Sequence, residues 1–256
     1  ERRSISPMVD LTRTVRFCVS AGGRLADDAP ASNSFAAWPP MRGLGSYYEM
    51  HVCCRGEPDP TTGYLMNIKH IDDAARRHAL PVLAAAMRAA VEDDDAEPAL
   101  GAVMRGLIGA LQTPLRDSVI HVGLQLTPRL CLTIEERDVN SVTISHQYEF
   151  SAAHRLHVPD LTPEKNREVF GKCNNPAGHG HNYRLEVAVR SPIDEAGRTV
   201  TVEALDALVD RVVVERFDHT HLNEDRGEFA SLNPSVENIA RVIYELLDDE
   251  DRKSVV

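Results

Sequence analysis

Three histidines and one cysteine carry the most specific chemistry in this chain. His179 and His181 stand two apart in Gly171-Lys172-Cys173-Asn174-Asn175-Pro176-Ala177-Gly178-His179-Gly180-His181-Asn182-Tyr183. The residues that follow, Tyr183-Arg184-Leu185-Glu186-Val187-Ala188-Val189, alternate as a half-buried strand does. Side chains two apart on a strand share a face, so both imidazoles can aim at one point. His154 closes another strand-like run, Tyr148-Glu149-Phe150-Ser151-Ala152-Ala153-His154. If the two strands pair, three neutral nitrogens converge and leave a fourth position open, which is the pattern of a catalytic zinc site. Cys173 lies in the polar loop ahead of the pair, placed to be a fourth ligand or a base.

A second constellation is Asp218-His219, within Phe217-Asp218-His219-Thr220-His221-Leu222-Asn223. An aspartate beside a histidine can orient it to relay a proton, although the same run would also suit a polar turn at a helix end. His221 reads as a surface residue. Glu237 falls at the start of a helical stretch, where a carboxylate also favours the helix dipole. Lys172 and Arg155 are the nearest basic residues for an anionic substrate group. Cys18, Cys53, Cys54 and Cys131 sit inside strand-like runs and read as packing.

The totals exclude several classes. A net charge of −11 over 256 residues argues against a general nucleic-acid or anionic-membrane surface, so a phosphorylated substrate would need a local basic pocket. The 5 cysteines are an odd set without the spacing of a secreted framework, which points to a reducing, cytoplasmic compartment. No apolar run approaches the roughly 20 residues of a membrane span, and no signal peptide is visible. The chain opens on Glu1 rather than Met, which suggests a fragment or trimmed start.

The elements that must position these residues recur twice. Residues 1–11 read as a loose arm, 12–21 and 47–55 as strands, and 22–45 as loop. Ile68 to Val91 and Pro98 to Leu111 read as helices with a solvated break at Asp93-Asp94-Asp95, and 118–126 with 129–136 as a hairpin. The second half begins alike, with strands at 142–153 and 182–190 and helices at 202–216 and 234–247, Pro234 being in the first turn. The offset is nearly constant: Phe17 matches Phe150, Tyr48 matches Tyr183, Arg55 matches Arg190, Gly63 matches Gly197 and Asp72 matches Asp206. Ser254-Val255-Val256 matches Ser118-Val119-Ile120, so the second repeat lacks its closing hairpin in this chain. The first repeat has the scaffold without the ligands. Opposite His154 it has Ala21 or a neighbouring glycine, opposite His179 and His181 it has Leu44 and Ser46, and opposite Asp218-His219 it has Ala84-Ala85.

Phe150-Ser151-Ala152-Ala153-His154-Arg155-Leu156, the 171–183 stretch, Phe217-Asp218-His219 and Ser235-Val236-Glu237-Asn238-Ile239-Ala240 together resemble the 6-pyruvoyl-tetrahydropterin synthase family, which includes the 6-carboxy-tetrahydropterin synthases. The resemblance is strong over 142–247 and degenerate over 12–138. It implies an α+β chain of two tandem tunnelling-fold (T-fold) repeats, each a four-stranded antiparallel sheet with two helices on one face. A metal-free copy would span 12–138, and a zinc-binding catalytic copy 141–256. It implies zinc on His154, His179 and His181, Cys173 as the proton-abstracting base, and Asp218 with His219 as its partner pair.

The implied reaction is triphosphate elimination from 7,8-dihydroneopterin triphosphate. Zinc would act as a Lewis acid at the side-chain hydroxyls, and the internal redox change would run through tautomerisation. The resemblance also implies a role for Glu237 at an interface or pocket, and it raises Glu135 as the first repeat's counterpart of the family's pterin-anchoring glutamate. The Cys-Asn-Asn-Pro-Ala-Gly-His spacing favours the 6-pyruvoyl product over the 6-carboxy product of queuosine and deazapurine synthesis. A non-catalytic pterin-binding or assembly protein is the reading from another class, and the ligand-free first repeat is what favours it. Exposed sheet edges invite closure into a barrel, so a homotrimer of tandem chains is expected.

Overall fold

The computed structural model describes residues 8–20, 22–25, 37–41, 43–92 and 99–254. The chain divides into two compact units, Glu1–His146 with Val187–Val200, and Gln147–Glu186 with Thr201–Val256. It is a mixed α+β protein in which β-sheet is faced by helices.

In the first unit, β1 (Val9–Ser20) and β2 (Gly45–Gly56) form an antiparallel hairpin in which Phe17 lies opposite Tyr48. Alternation does the sorting, because Val15, Phe17 and Val19 of β1 and Met50, Val52 and Cys54 of β2 are all buried. The connection runs through α1 (Ile68–Ala74), a π-helical turn (Ala75–Ala79), α2 (Leu80–Glu92) and α3 (Leu100–Gln112). Asn67 caps α1 by accepting from the Lys69 N–H at 3.0 Å. Met104, Leu107, Ile108 and Leu111 make the buried stripe of α3 at helical spacing. Next come β3 (Val119–Thr127), β4 (Leu130–Glu135) and the leading part of β5 (Asp138–His154), paired antiparallel in sequence order. Arg13 reaches Asp72 through two hydrogen bonds of 2.8 and 2.9 Å and so ties β1 to α1.

The second unit holds the end of β5, then α4 (Pro163–Phe170), a 3₁₀ turn (Gly171–Asn174) and the start of β6 (His179–Pro192). After these come α5 (Val202–Val209), a second π-helical turn (Asp210–Val214), α6 (Glu215–Phe217), β7 (Thr220–His221), α7 (Leu222–Asp225) and α8 (Val236–Ser254). β5 neighbours β6 and pairs in parallel with β7, where Ala153 meets His221. Phe150 stacks on Tyr183 at 5.1 Å and tilts against Phe217, which is fully buried. Tyr148 donates to Asp206 at 2.8 Å, tying β5 to α5.

Several sequence expectations need correction. The N-terminal arm is shorter than expected, because β1 already starts at Val9. The break at 93–95 lies outside the described residues. α4 has no counterpart among the elements expected from the sequence; it is mostly polar, and its buried residue is itself polar, Asn166. α8 starts at Val236, not Pro234. The Ser235 hydroxyl accepts from the Asn238 N–H at 3.4 Å and so stands at the capping position.

Candidate metal centre and active site

His154 is the last residue of β5, and His179 and His181 share one face at the start of β6. The ring centroids lie 4.7 Å apart for His154 and His179, 5.1 Å for His154 and His181, and 4.6 Å for His179 and His181. One nitrogen from each falls within 4.8 Å of the others, and among the described residues no other group of three histidine, cysteine or acidic side chains does this. Cys173 is not in the set.

The hydrogen bonding of His154 tests whether a metal fits. Its Nδ1 lies 2.7 Å from the Pro234 carbonyl, and a carbonyl can only accept, so Nδ1 carries the proton. Nε2 is therefore a bare lone pair, buried and without a partner; Nδ1 of His179 is likewise buried and unpartnered. Burial pushes the His154 pKa down, and the neighbouring imidazoles add to this against the raising effect of the Pro234 bond. A buried imidazole with a proton-free, unpartnered nitrogen beside two further histidines fits a zinc ion, and a ring orientation fixed by a main-chain carbonyl is the usual support of such a ligand.

Gly178 allows this geometry. Its φ is +69°, and a Cβ there would stand 2.5 Å from Nε2 of His221 and 3.0 Å from the His154 carbonyl oxygen. His221 is thus not the surface residue expected from the sequence. It is half-buried, with Nδ1 enclosed and unpartnered. A His-x-His pair at 219–221, echoing 179–181, was the available signal.

Asp218 and His219 lie at the turn into β7. One carboxylate oxygen of Asp218 accepts the Ser151 N–H at 2.7 Å and the other meets Nδ1 of His219 at 2.7 Å. The His219 N–H returns to the Ser151 carbonyl at 2.6 Å, and its φ is +55°, uncommon for a residue with a side chain. The Ser151 N–H, then His219, hold the Asp218 carboxyl below its ordinary range. The His219 side chain is 84% exposed. An open hollow of about 550 Å³ takes in His181, His219 and His221. Cys173 does not line it.

Cys173 is half-buried in the 3₁₀ turn, and its carbonyl accepts the Leu156 N–H at 2.8 Å. Tyr183 was missed by the sequence reading. Its hydroxyl is buried without a partner, its ring stands edge-on to His181 at 5.7 Å, and burial, with the Cys173 charge second, pushes its pKa up to about 12. Arg155 and Lys172 line a separate hollow with Arg167. Glu237 is exposed in the first turn of α8, held low by backbone and Ser235 hydrogen bonds, and lines neither hollow. Glu135 is paired with Arg137 in the first unit.

Comparison with known proteins covers this region. A sequence model described as 6-pyruvoyl tetrahydropterin synthase matches residues 143–255. The 6-pyruvoyl tetrahydrobiopterin synthase of Drosophila melanogaster is 43% identical over 103 residues, 40% of this chain and 61% of that protein. The Poecilia reticulata protein of the same name is 43% identical over 103 residues, 70% of its length. The Homo sapiens one is 39% identical over 105 residues, 41% of this chain and 72% of that protein. The structure of Caenorhabditis elegans 6-pyruvoyl tetrahydropterin synthase aligns with a TM-score of 0.40 at 37% identity, covering 43% of this chain and 78% of that one. With identities of this size over most of the length of such relatives, the chain belongs to the 6-pyruvoyl tetrahydropterin synthase family.

Proposed function

We propose that the chain is a zinc-dependent lyase that converts 7,8-dihydroneopterin triphosphate to 6-pyruvoyl-tetrahydropterin with loss of triphosphate. The observation that carries this is the convergence of His154, His179 and His181, two of which keep a buried, unpartnered nitrogen, with His181 sharing a hollow with His219, the partner of Asp218. His154, His179 and His181 would hold the zinc, which supplies Lewis acidity toward hydroxyl oxygens of the substrate. Cys173, as thiolate, takes a proton from a side-chain carbon of the substrate. The electron pair left behind expels the triphosphate, breaking a carbon–oxygen bond. His219, held by Asp218, returns a proton during the tautomerisation that follows. No external oxidant is required, because the redox change is internal. The 6-pyruvoyl product is favoured over the 6-carboxy product by the five residues between Cys173 and His179, and by the names of the relatives.

The same proposal includes two T-fold repeats over 12–138 and 141–256. Paired features support it. Phe17–Tyr48 and Phe150–Tyr183 both stack, α1 and α5 both run into a π turn, and Asp72 and Asp206 both accept from a β-strand side chain. Three such chains would supply the six units of a closed double ring. No helix among the described residues is long and apolar enough to cross a membrane. The test is incubation of the zinc-loaded protein with 7,8-dihydroneopterin triphosphate and identification of the product by mass. Absence of triphosphate release would overturn the enzymatic reading, and a product with the 6-carboxy mass would move it to the sister activity.

A further inference from the structure

The second unit carries a basic hollow to which the reaction steps above assign no residue. It has a volume of about 350 Å³, within the range of small-ligand sites, and lies between the segment after β5 and the 163–176 stretch. Arg155, Arg167 and Lys172 line it together with His157, and none of its lining residues is acidic. In a chain of net charge −11 such a concentration of cations is local and directional.

Few of the cationic groups are neutralised by a carboxylate. Nη2 of Arg155 lies 3.3 Å from Nδ1 of His157, and the Asn174 side-chain nitrogen lies 3.0 Å from the same atom. A guanidinium can only donate, so Nδ1 of His157 accepts and its proton is on Nε2. Nε of Arg155 is buried and unpartnered. Lys172 is exposed and has no ion-pair partner among the described residues. Arg167 meets one carboxylate, Glu164 at 3.3 Å, with both side chains largely exposed, a weak tie that leaves the fork of the guanidinium available. The frame is rigid. Asn166, fully buried, accepts from the Val158 N–H at 2.8 Å and donates to the Val158, Leu161 and Thr162 carbonyls at 2.9, 3.0 and 3.2 Å. Asn174 donates to the Leu156 carbonyl at 2.7 Å.

We infer that this hollow binds an oligophosphate anion, through the guanidinium groups of Arg155 and Arg167 and the ammonium of Lys172. Two sources share that chemistry. One is the triphosphate of the substrate, an assignment that rests on the function proposed above. The other is a free polyphosphate such as a nucleoside triphosphate.

The experiment is calorimetric titration of the full-length chain with inorganic triphosphate, ATP and inorganic phosphate, at low and at 0.5 M salt. We expect inorganic triphosphate to bind. We expect Arg167→Gln and Lys172→Gln each to weaken it about tenfold, high salt to weaken it further, and Lys165→Gln, a neighbouring change outside the hollow, to leave it unmoved. A KM for dihydroneopterin triphosphate that rises in Arg167→Gln assigns the site to the substrate. An unmoved KM with ATP binding retained assigns it to a free nucleotide. A chain that binds triphosphate but turns nothing over refutes the enzymatic reading and leaves the hollow standing. No binding by any probe, or equal binding in all three variants, overturns the proposal.

Discussion

Asp218→Asn separates a positioning role from a structural one. The two oxygens of Asp218 serve different donors, the Ser151 N–H and Nδ1 of His219, each at 2.7 Å. Asparagine keeps one acceptor and replaces the other with an NH₂. The Ser151 N–H belongs to β5, which pairs with β7 one residue further on, so it cannot turn away. The amide oxygen will therefore face Ser151 and the NH₂ will face His219. Nδ1 of His219 must then accept, which moves its proton to Nε2. The ring stays near its place but in the wrong tautomer, and a positioned acid–base group contributes roughly 10²–10⁴-fold. We expect triphosphate release by the zinc-loaded enzyme to fall by about that factor. Zinc content should stay unchanged, and ¹⁵N-resolved NMR should show the Nε2-protonated tautomer. Wild-type turnover, or an unchanged Nδ1–H signal beside lost activity, would refute the reasoning. The pH dependence has a definite sign. The folded carboxyl is held below 3.8, so its contribution is complete above the unfolded value and is lost only as pH falls through the lower, folded one. The wild-type pair should therefore survive mild acid.

Cys173→Ala should keep its zinc and lose roughly 10²–10⁴ in turnover; loss of metal would make the thiol a ligand. Metal analysis should find about one zinc per chain, abolished by His179→Ala with His181→Ala, since a single group among the described residues is placed to hold a metal. Asn166→Ala removes four hydrogen bonds from one buried side chain and should cost about 2–4 kcal/mol in denaturant unfolding, less than four independent bonds because the loop relaxes. Light scattering should give the mass of a homotrimer, and an active monomer at micromolar concentration would refute the closed ring.

The chemistry of the site was legible because it is written in residue types that have few other uses. His154, His179 and His181 converge in the second unit as the strand spacing predicts, and Asp218 meets His219 as their adjacency allows. Strands were legible in kind and short in length. β5 begins at Asp138 and β6 at His179, because polar residues at strand ends carry no alternation signal. α4 was not legible. Periodicity reports apolar burial, and what α4 buries is an amide that grips three carbonyls. Of the cations that line the hollow edged by α4, Arg155 and Lys172 were legible as basic residues for an anionic group, and Arg167, carried on α4, was not. His221 was misplaced because its burial depends on the absent side chain of Gly178, which single-residue propensity does not register.

The Pro234 carbonyl has a consequence for how this protein can be studied by genetics. The group that sets the tautomer of His154 is a main-chain atom two residues before α8, so no side-chain replacement deletes it. An alanine scan would score Pro234 by its ring and pass over its oxygen. Control over that oxygen sits with its neighbours. The Asn233 carbonyl accepts from the Asn238 amide at 2.8 Å, and Ser235 stands at the head of the helix. If the three histidines hold zinc as proposed, substitutions at Asn233, Ser235 or Asn238 would register as metal-binding defects although none of the three is a proposed ligand. A screen for loss of zinc would recover the start of a helix.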